Sequence, residues 1–125
     1  MSEEPEPICI VDDDASVRNS IEQLLDSDGF KAQSFPDGEE FLAYAHSHAV
    51  PLVVLDEWMP KTSGLEVQLR LLLMSPNTKV IVMTAQEIPG MRAAALEGGA
   101  FAFLTKPFDD EAFLSLVRQV LGYAG

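Results

Sequence analysis

Residues 52–60 read LVVLDEWMP. Four apolar residues, Leu52 to Leu55, run without a polar break and end on Asp56. Such a run suits a strand buried on both faces, as the central strands of a parallel sheet are. Three similar runs stand elsewhere, Ile8 to Val11, Val80 to Met83 and Phe101 to Leu104. Lys31 to Phe35 alternates polar and apolar, the pattern of a short edge strand. Stretches of helical period fill the gaps. Val17, Ile21, Leu24 and Leu25 mark a first helix, stopped by Gly29. Phe41, Leu42 and Ala45 mark a second, starting near Pro36-Asp37-Gly38. Gly64 opens a third, carrying Leu65, Leu69, Leu72 and Leu73 and ended by Ser75-Pro76-Asn77. That helix also holds Leu71 and Met74, more apolar side chains than one face can bury, so at least one is expected in solvent. Met91, Ala94, Ala95 and Leu96 form a fourth, closed by Gly98-Gly99, and Phe113, Leu116, Val117, Val120 and Leu121 a fifth. Five strands alternating with five helices predict an α/β fold, a doubly wound parallel sheet with flanking helices.

The chain has 125 residues, 47 % of them hydrophobic, with 20 acidic against 8 basic side chains and a net charge of −12. This length and hydrophobicity predict one folded domain across residues 1–125, with residues 1–6 an acidic, Pro-broken tail. The acid excess argues against direct binding of nucleic acid, which needs a basic face. It argues equally against an anionic membrane surface, and no run reaches the length of a membrane span. The single cysteine, Cys9, lies in an apolar run and has no intramolecular partner, which favours a reducing, cytoplasmic setting. His46 and His48 lack further metal ligands nearby and read as surface residues.

In open parallel sheets, ligands bind at the carboxyl ends of the strands. The first strand is followed by Asp12, Asp13 and Asp14, and the third by Asp56. The fourth is followed by Thr84-Ala85, and the fifth by Thr105-Lys106-Pro107. One edge of the sheet therefore gathers carboxylates, a hydroxyl and an ammonium. Asp14 reads separately as the N-cap of the first helix. Asp12, Asp13 and Asp56 together carry three negative charges, and Lys106 returns one. A divalent cation cancels the remainder, and an all-oxygen ligand set favours Mg²⁺. Cation, ammonium, hydroxyl and carboxylate together make a site able to transfer a phosphoryl group to an aspartate oxygen.

The segments ICIVDDDASVR, LVVLDEWMPKTSG, VIVMTAQ and GGAFAFLTKPF, in this order, closely resemble the receiver domain of bacterial two-component response regulators. The resemblance spans Ile8 to about Gly122 and implies a five-stranded flavodoxin-like sheet of order 2-1-3-4-5. It implies that Asp56 accepts a phosphoryl group from a sensor histidine kinase or a phosphotransfer protein. Asp13, Asp56 and the Trp58 backbone carbonyl would bind Mg²⁺ directly, and Asp12 chiefly through water. Thr84, the Ala85 amide and Lys106 would bind the phosphoryl group, and Lys106-Pro107 would be a cis peptide. Thr84 and Phe103 would act as the switch, Phe103 rotating into space that Thr84 vacates. The face of the fourth helix, fifth strand and fifth helix would then control an output domain or protein, and the resemblance permits a homodimer through it. Such a domain is a switch that promotes its own phosphorylation and dephosphorylation, not a turnover enzyme.

Trp58 carries two readings: it packs on the surface, or it limits in-line attack by water on the phosphoryl group. Its fluorescence is expected to report Mg²⁺ or phosphoryl analogues. Rival functions fit less well. An aspartyl phosphatase needs a second Asp where Trp58 stands. A nucleotide-binding domain needs a glycine-rich loop where three acids stand. An EF-hand beginning at Asp12 puts Val17 in place of the turn glycine. A phosphorylation-independent pseudo-receiver, purely a binding module, is the remaining alternative, although such domains usually lack one of the site residues.

Overall fold

The computed structural model describes residues 6–122, so residues 1–5 of the expected acidic tail lie outside the described residues. The strands are β1 (Ile8–Val11), β2 (Ala32–Phe35), β3 (Leu52–Asp56), β4 (Lys79–Thr84) and β5 (Ala102–Thr105). The helices are α1 (Ala15–Ser27), α2 (Gly38–Ser47), α3 (Gly64–Met74), α4 (Met91–Glu97) and α5 (Asp110–Leu121). All neighbouring strands pair in parallel, in the order β2-β1-β3-β4-β5. Every residue of β1 and β3 is buried, whereas the edge strands β2 and β5 are only partly so. Side chains alternate across the sheet and feed two cores. Val53, Leu55, Val67, Leu71 and Phe103 join one with α2, α3 and α4; Ile10, Val54, Met83, Phe113 and Val117 join the other with α1 and α5. Burial pushes the Cys9 thiol up to about 12, so it remains protonated at neutral pH.

Helix starts follow their caps. Asp14 accepts hydrogen bonds from the Ser16 and Val17 amides, Asp37 from Glu40, Ser63 from Glu66 and Asp109 from Ala112. His46 and His48 are exposed, and His48 stacks on Tyr44.

The apolar residues that mark α3 and α4 do not all face inward, and the expected exposed leucine of α3 is there. In α3 the buried residues are Gly64, Val67, Gln68 and Leu71, while Leu69, Leu72 and Leu73 face solvent, Leu73 being 90 % exposed. The apolar period alone could not distinguish the two faces. Gly64 fixes the rotation of the helix by backing onto the end of β3, and Gln68 reaches across to donate a hydrogen bond to the Ala95 carbonyl at 2.7 Å. In α4, Ala95 is buried, but Leu96 points outward at 45 % exposure.

Arg118 ties α5 to the end of α1. Its Nε and Nη2 donate to the two oxygens of Asp28, each at 2.9 Å, while Nη1 meets Glu111. The Arg118 hydrogen bonds hold the Asp28 carboxyl below its usual range. A depressed folded value stabilises the protein above the unfolded value of about 4, and that stability is lost as pH falls through the folded value. Asp28→Asn is therefore expected to melt below the parent at neutral pH. The gap should close on acidification below about pH 4 in thermal melts, and a gap independent of pH would contradict the ion pair.

Candidate functional site

The site lies at the carboxyl ends of β1, β3, β4 and β5. Asp12 follows β1 directly and is 1 % exposed. Its Oδ1 accepts the Asp14 amide at 2.9 Å, and its Oδ2 accepts Lys106 Nζ at 2.9 Å. Arg18, one turn into α1, donates to the Asp12 carbonyl at 2.6 Å. Asp56 is the last residue of β3 and is likewise buried, with one oxygen 3.6 Å from Lys106 Nζ. Asp13 is exposed at the mouth. One carboxylate oxygen from each of Asp12, Asp13 and Asp56 lies within 4.8 Å of the others.

Backbone hydrogen bonds extend the sheet past its strand ends and hold the loops in place. The Glu57 amide donates to the Met83 carbonyl at 2.9 Å, and the Lys106 amide to Thr84 at 2.7 Å. The Lys106–Pro107 peptide is cis, as expected. Gly64 lets α3 approach closely: a Cβ there would stand 2.6 Å from the Asp56 carbonyl oxygen and 2.9 Å from Glu57 Cα.

These charges act on one another. Burial pushes the Asp56 carboxyl up to about 6, and the neighbouring Asp12 adds to the shift. The Lys106 charge and the Trp58 amide oppose it. Burial pulls the Lys106 ammonium down, but its hydrogen bond to Asp12 and the charge of Asp56 outweigh this and leave it raised. The site thus holds a charged lysine against carboxylates that it cannot fully neutralise. Three carboxylates and no nitrogen or sulfur donor match a hard divalent cation such as Mg²⁺.

The other expected residues are placed as follows. Thr84 is fully buried at the end of β4, but its hydroxyl donates to the Gln86 carbonyl at 3.0 Å and accepts the Gln86 amide at 3.1 Å. The hydroxyl is therefore engaged inside its own loop. Ala85 is exposed beside it. Trp58 is 48 % exposed, and its indole N–H donates to the same Gln86 carbonyl at 2.8 Å. Phe103 is only 5 % exposed, with the Arg92 guanidinium 4.7 Å above its ring. Arg92 also donates to the Phe103 carbonyl and to Glu87. Beside Lys106, Val17, Ile21, Leu24, Pro107 and Phe108 line an open cleft of about 860 Å³.

The model of the response regulator receiver domain matches residues 8–118. The chain belongs to this family. Receiver domains are signalling domains, the phosphorylation-activated switches of two-component systems. The response regulator MprA of Mycolicibacterium vanbaalenii is 37 % identical over 117 residues, which cover 94 % of this chain and 51 % of that protein. The receiver domain here thus spans about half the length of the curated relatives it matches. Among solved structures, a response regulator receiver protein from Burkholderia phymatum is 42 % identical, with a TM-score of 0.83 over 96 % of this chain and 98 % of the other. The BeF₃-activated DrrB receiver domain is 32 % identical, with a TM-score of 0.84 over 93 % and 97 % of the two chains. The five-stranded order and flavodoxin-like fold match such neighbours, and no finding favours the phosphorylation-independent alternative. No helix among the described residues is long and apolar enough to cross a membrane.

Proposed function

We propose that Asp56 is the phosphoacceptor of this receiver domain. The observation that carries the reading is the convergence of the Asp12, Asp13 and Asp56 carboxylates within 4.8 Å, with Lys106 Nζ bonded to Asp12 and 3.6 Å from Asp56. In the reaction, an ionised Asp56 oxygen attacks the phosphorus of a phosphohistidine on a sensor kinase or phosphotransfer protein. The P–N bond breaks as the new P–O bond forms, and the imidazole leaves with the electron pair. Water later hydrolyses the acyl phosphate. A carboxyl raised to about 6 is still mainly ionised at neutral pH and so remains a nucleophile.

Lys106 binds a phosphoryl oxygen from the position it already occupies beside Asp56. Thr84 donates its hydroxyl to the phosphoryl group after leaving Gln86, and the exposed Ala85 amide adds a second donor. Asp13, Asp56 and the Trp58 carbonyl would hold Mg²⁺ directly, with Asp12 behind a water. When bound, Mg²⁺ supplies the positive charge that one lysine leaves missing. The apolar cleft beside Lys106 gives a phosphodonor protein a surface to dock against.

Signal output follows the Thr84 displacement. Arg92 covers the Phe103 ring, so in this chain the aromatic residue starts buried, and its response to Thr84 runs through the Arg92–Glu87 contacts. The α4–β5–α5 face carries that change to an output domain or protein, or to a second copy of the domain. Inverting a 1:99 equilibrium needs about 5.5 kcal/mol of preference for the active state. Two charge-assisted hydrogen bonds and the metal contacts are of that order. The switch is read as cytoplasmic, where a free thiol such as Cys9 stays reduced.

Incubation with phosphoramidate or acetyl phosphate tests the reading by intact mass. One phosphoryl group is expected with Mg²⁺ and essentially none with a chelator. An unmodified parent with Mg²⁺ would favour the phosphorylation-independent binding module.

A further inference from the structure

Two donors from different parts of the site meet on one backbone carbonyl. Gln86 O accepts the Trp58 indole N–H at 2.8 Å and the Thr84 hydroxyl at 3.0 Å. Trp58 belongs to the loop that follows Asp56 at the end of β3 and Gln86 to the loop after β4, so the indole is a strut between two neighbouring loops. Trp58 also lines a small groove with Leu65 of α3, Ile88, and Met91 of α4. Further along, the loop after β4 is held through Glu87, which accepts hydrogen bonds from Arg92 and Thr105, while Ala85, Gln86 and Ile88 are exposed.

We propose that Trp58 is a positioning residue that latches the loop after β4 in the form where Thr84 cannot serve the phosphoryl group. The proposal rests on the reading of Asp56 and Thr84 given above. The Thr84 hydroxyl makes two hydrogen bonds, both to Gln86. To face Asp56 it must break away from Gln86, and that is hindered while Gln86 is pinned. The indole N–H does the pinning from the neighbouring loop, on the same carbonyl that takes the Thr84 hydroxyl. Removing the N–H leaves Gln86 free to move with Thr84 and shifts the population toward the phosphoryl-binding form. The latch favours one state over the other only through this bond, so its effect is limited to what one net hydrogen bond contributes. Trp58 thereby sets the threshold for activation, a role distinct from shielding the acyl phosphate from water.

Trp58→Phe keeps an aromatic ring and the backbone carbonyl and deletes the donor. Beryllofluoride, a phosphoryl mimic, is titrated into the domain with Mg²⁺ and followed by calorimetry. Trp58→Phe is expected to bind it about three- to tenfold more tightly than the parent. In a Thr84→Ala background the same change is expected to have no effect, because the latch acts through that hydroxyl. Equal or weaker binding by Trp58→Phe, beside a parent that binds, overturns the latch and leaves the functional reading intact. A gain of equal size in the Thr84→Ala background also overturns it. A parent that does not bind beryllofluoride brings down the functional reading, and the latch with it.

Discussion

Asp56→Asn is expected to accept no phosphoryl group and, without divalent cations, to melt above the parent. Both effects come from the same buried carboxylate. Asp56 sits at the end of a fully buried strand and close to Asp12, and its carboxyl is pushed up to about 6. The folded value is raised above the unfolded one, so the group stabilises the fold when protonated. That contribution fades as pH climbs from about 4 through about 6, and at neutral pH the charge destabilises the metal-free domain. A rise of about two units corresponds to about 3 kcal/mol, an upper figure because the asparagine amide also needs partners. Thermal melts with chelator at neutral pH measure it. In Mg²⁺ the ranking should narrow or reverse, because the cation binds and stabilises the parent by mass action and loses a ligand in the variant. If the variant melts lower than the parent in chelator, the charge repulsion described for the site is wrong.

Gly64→Ala is expected to be among the most damaging single-methyl additions in the chain. The new Cβ would meet the Asp56 carbonyl oxygen at 2.6 Å and Glu57 Cα at 2.9 Å, both backbone atoms with no rotamer to relieve the clash. Alanine favours a helix over glycine by about 1 kcal/mol, but overpacking of this kind costs about 1–3 kcal/mol. The clash wins because α3 can yield only by lifting its first turn off the end of β3. That motion disturbs Asp56 and the Gly64 amide bond to the Glu57 carbonyl at 3.1 Å. Denaturant melts should show the lost stability, and intact mass after a fixed exposure to phosphoramidate should show slower phosphoryl uptake. A variant as stable as the parent would mean that α3 is less tightly seated than the backbone distances indicate.

The strands were legible because their signal is local. Leu52 to Leu55 and Ile8 to Val11 need burial on both faces, which a parallel sheet covered by helices provides, and the acids just beyond them then share one edge. Asp12, Asp13, Asp56 and Lys106 could be gathered on paper from that rule, and the structure brings all four together. Orientation was harder to read. A helical period says that α3 has a face but not which face is inward when leucines lie on both sides, and Gln68 turned out to belong to the buried side. Contacts to backbone atoms were also hidden. The Gln86 carbonyl that receives Trp58 and Thr84 has no side-chain signature, and neither does the Asp56 carbonyl that makes Gly64 necessary. Arg92 over Phe103 depends on the length of α4, which places a side chain eleven positions earlier above the ring.

The strand order also sets a gradient of stiffness across the site. Asp12 follows β1 and Asp56 ends β3, and both strands are paired on both sides and buried throughout. Lys106 follows β5, an outer strand with a single neighbour and half-open sides. One end of the constellation is thus anchored like masonry and the other hangs from a compliant margin. By pairing and burial, the margin that carries Lys106 is the part of the site that yields first.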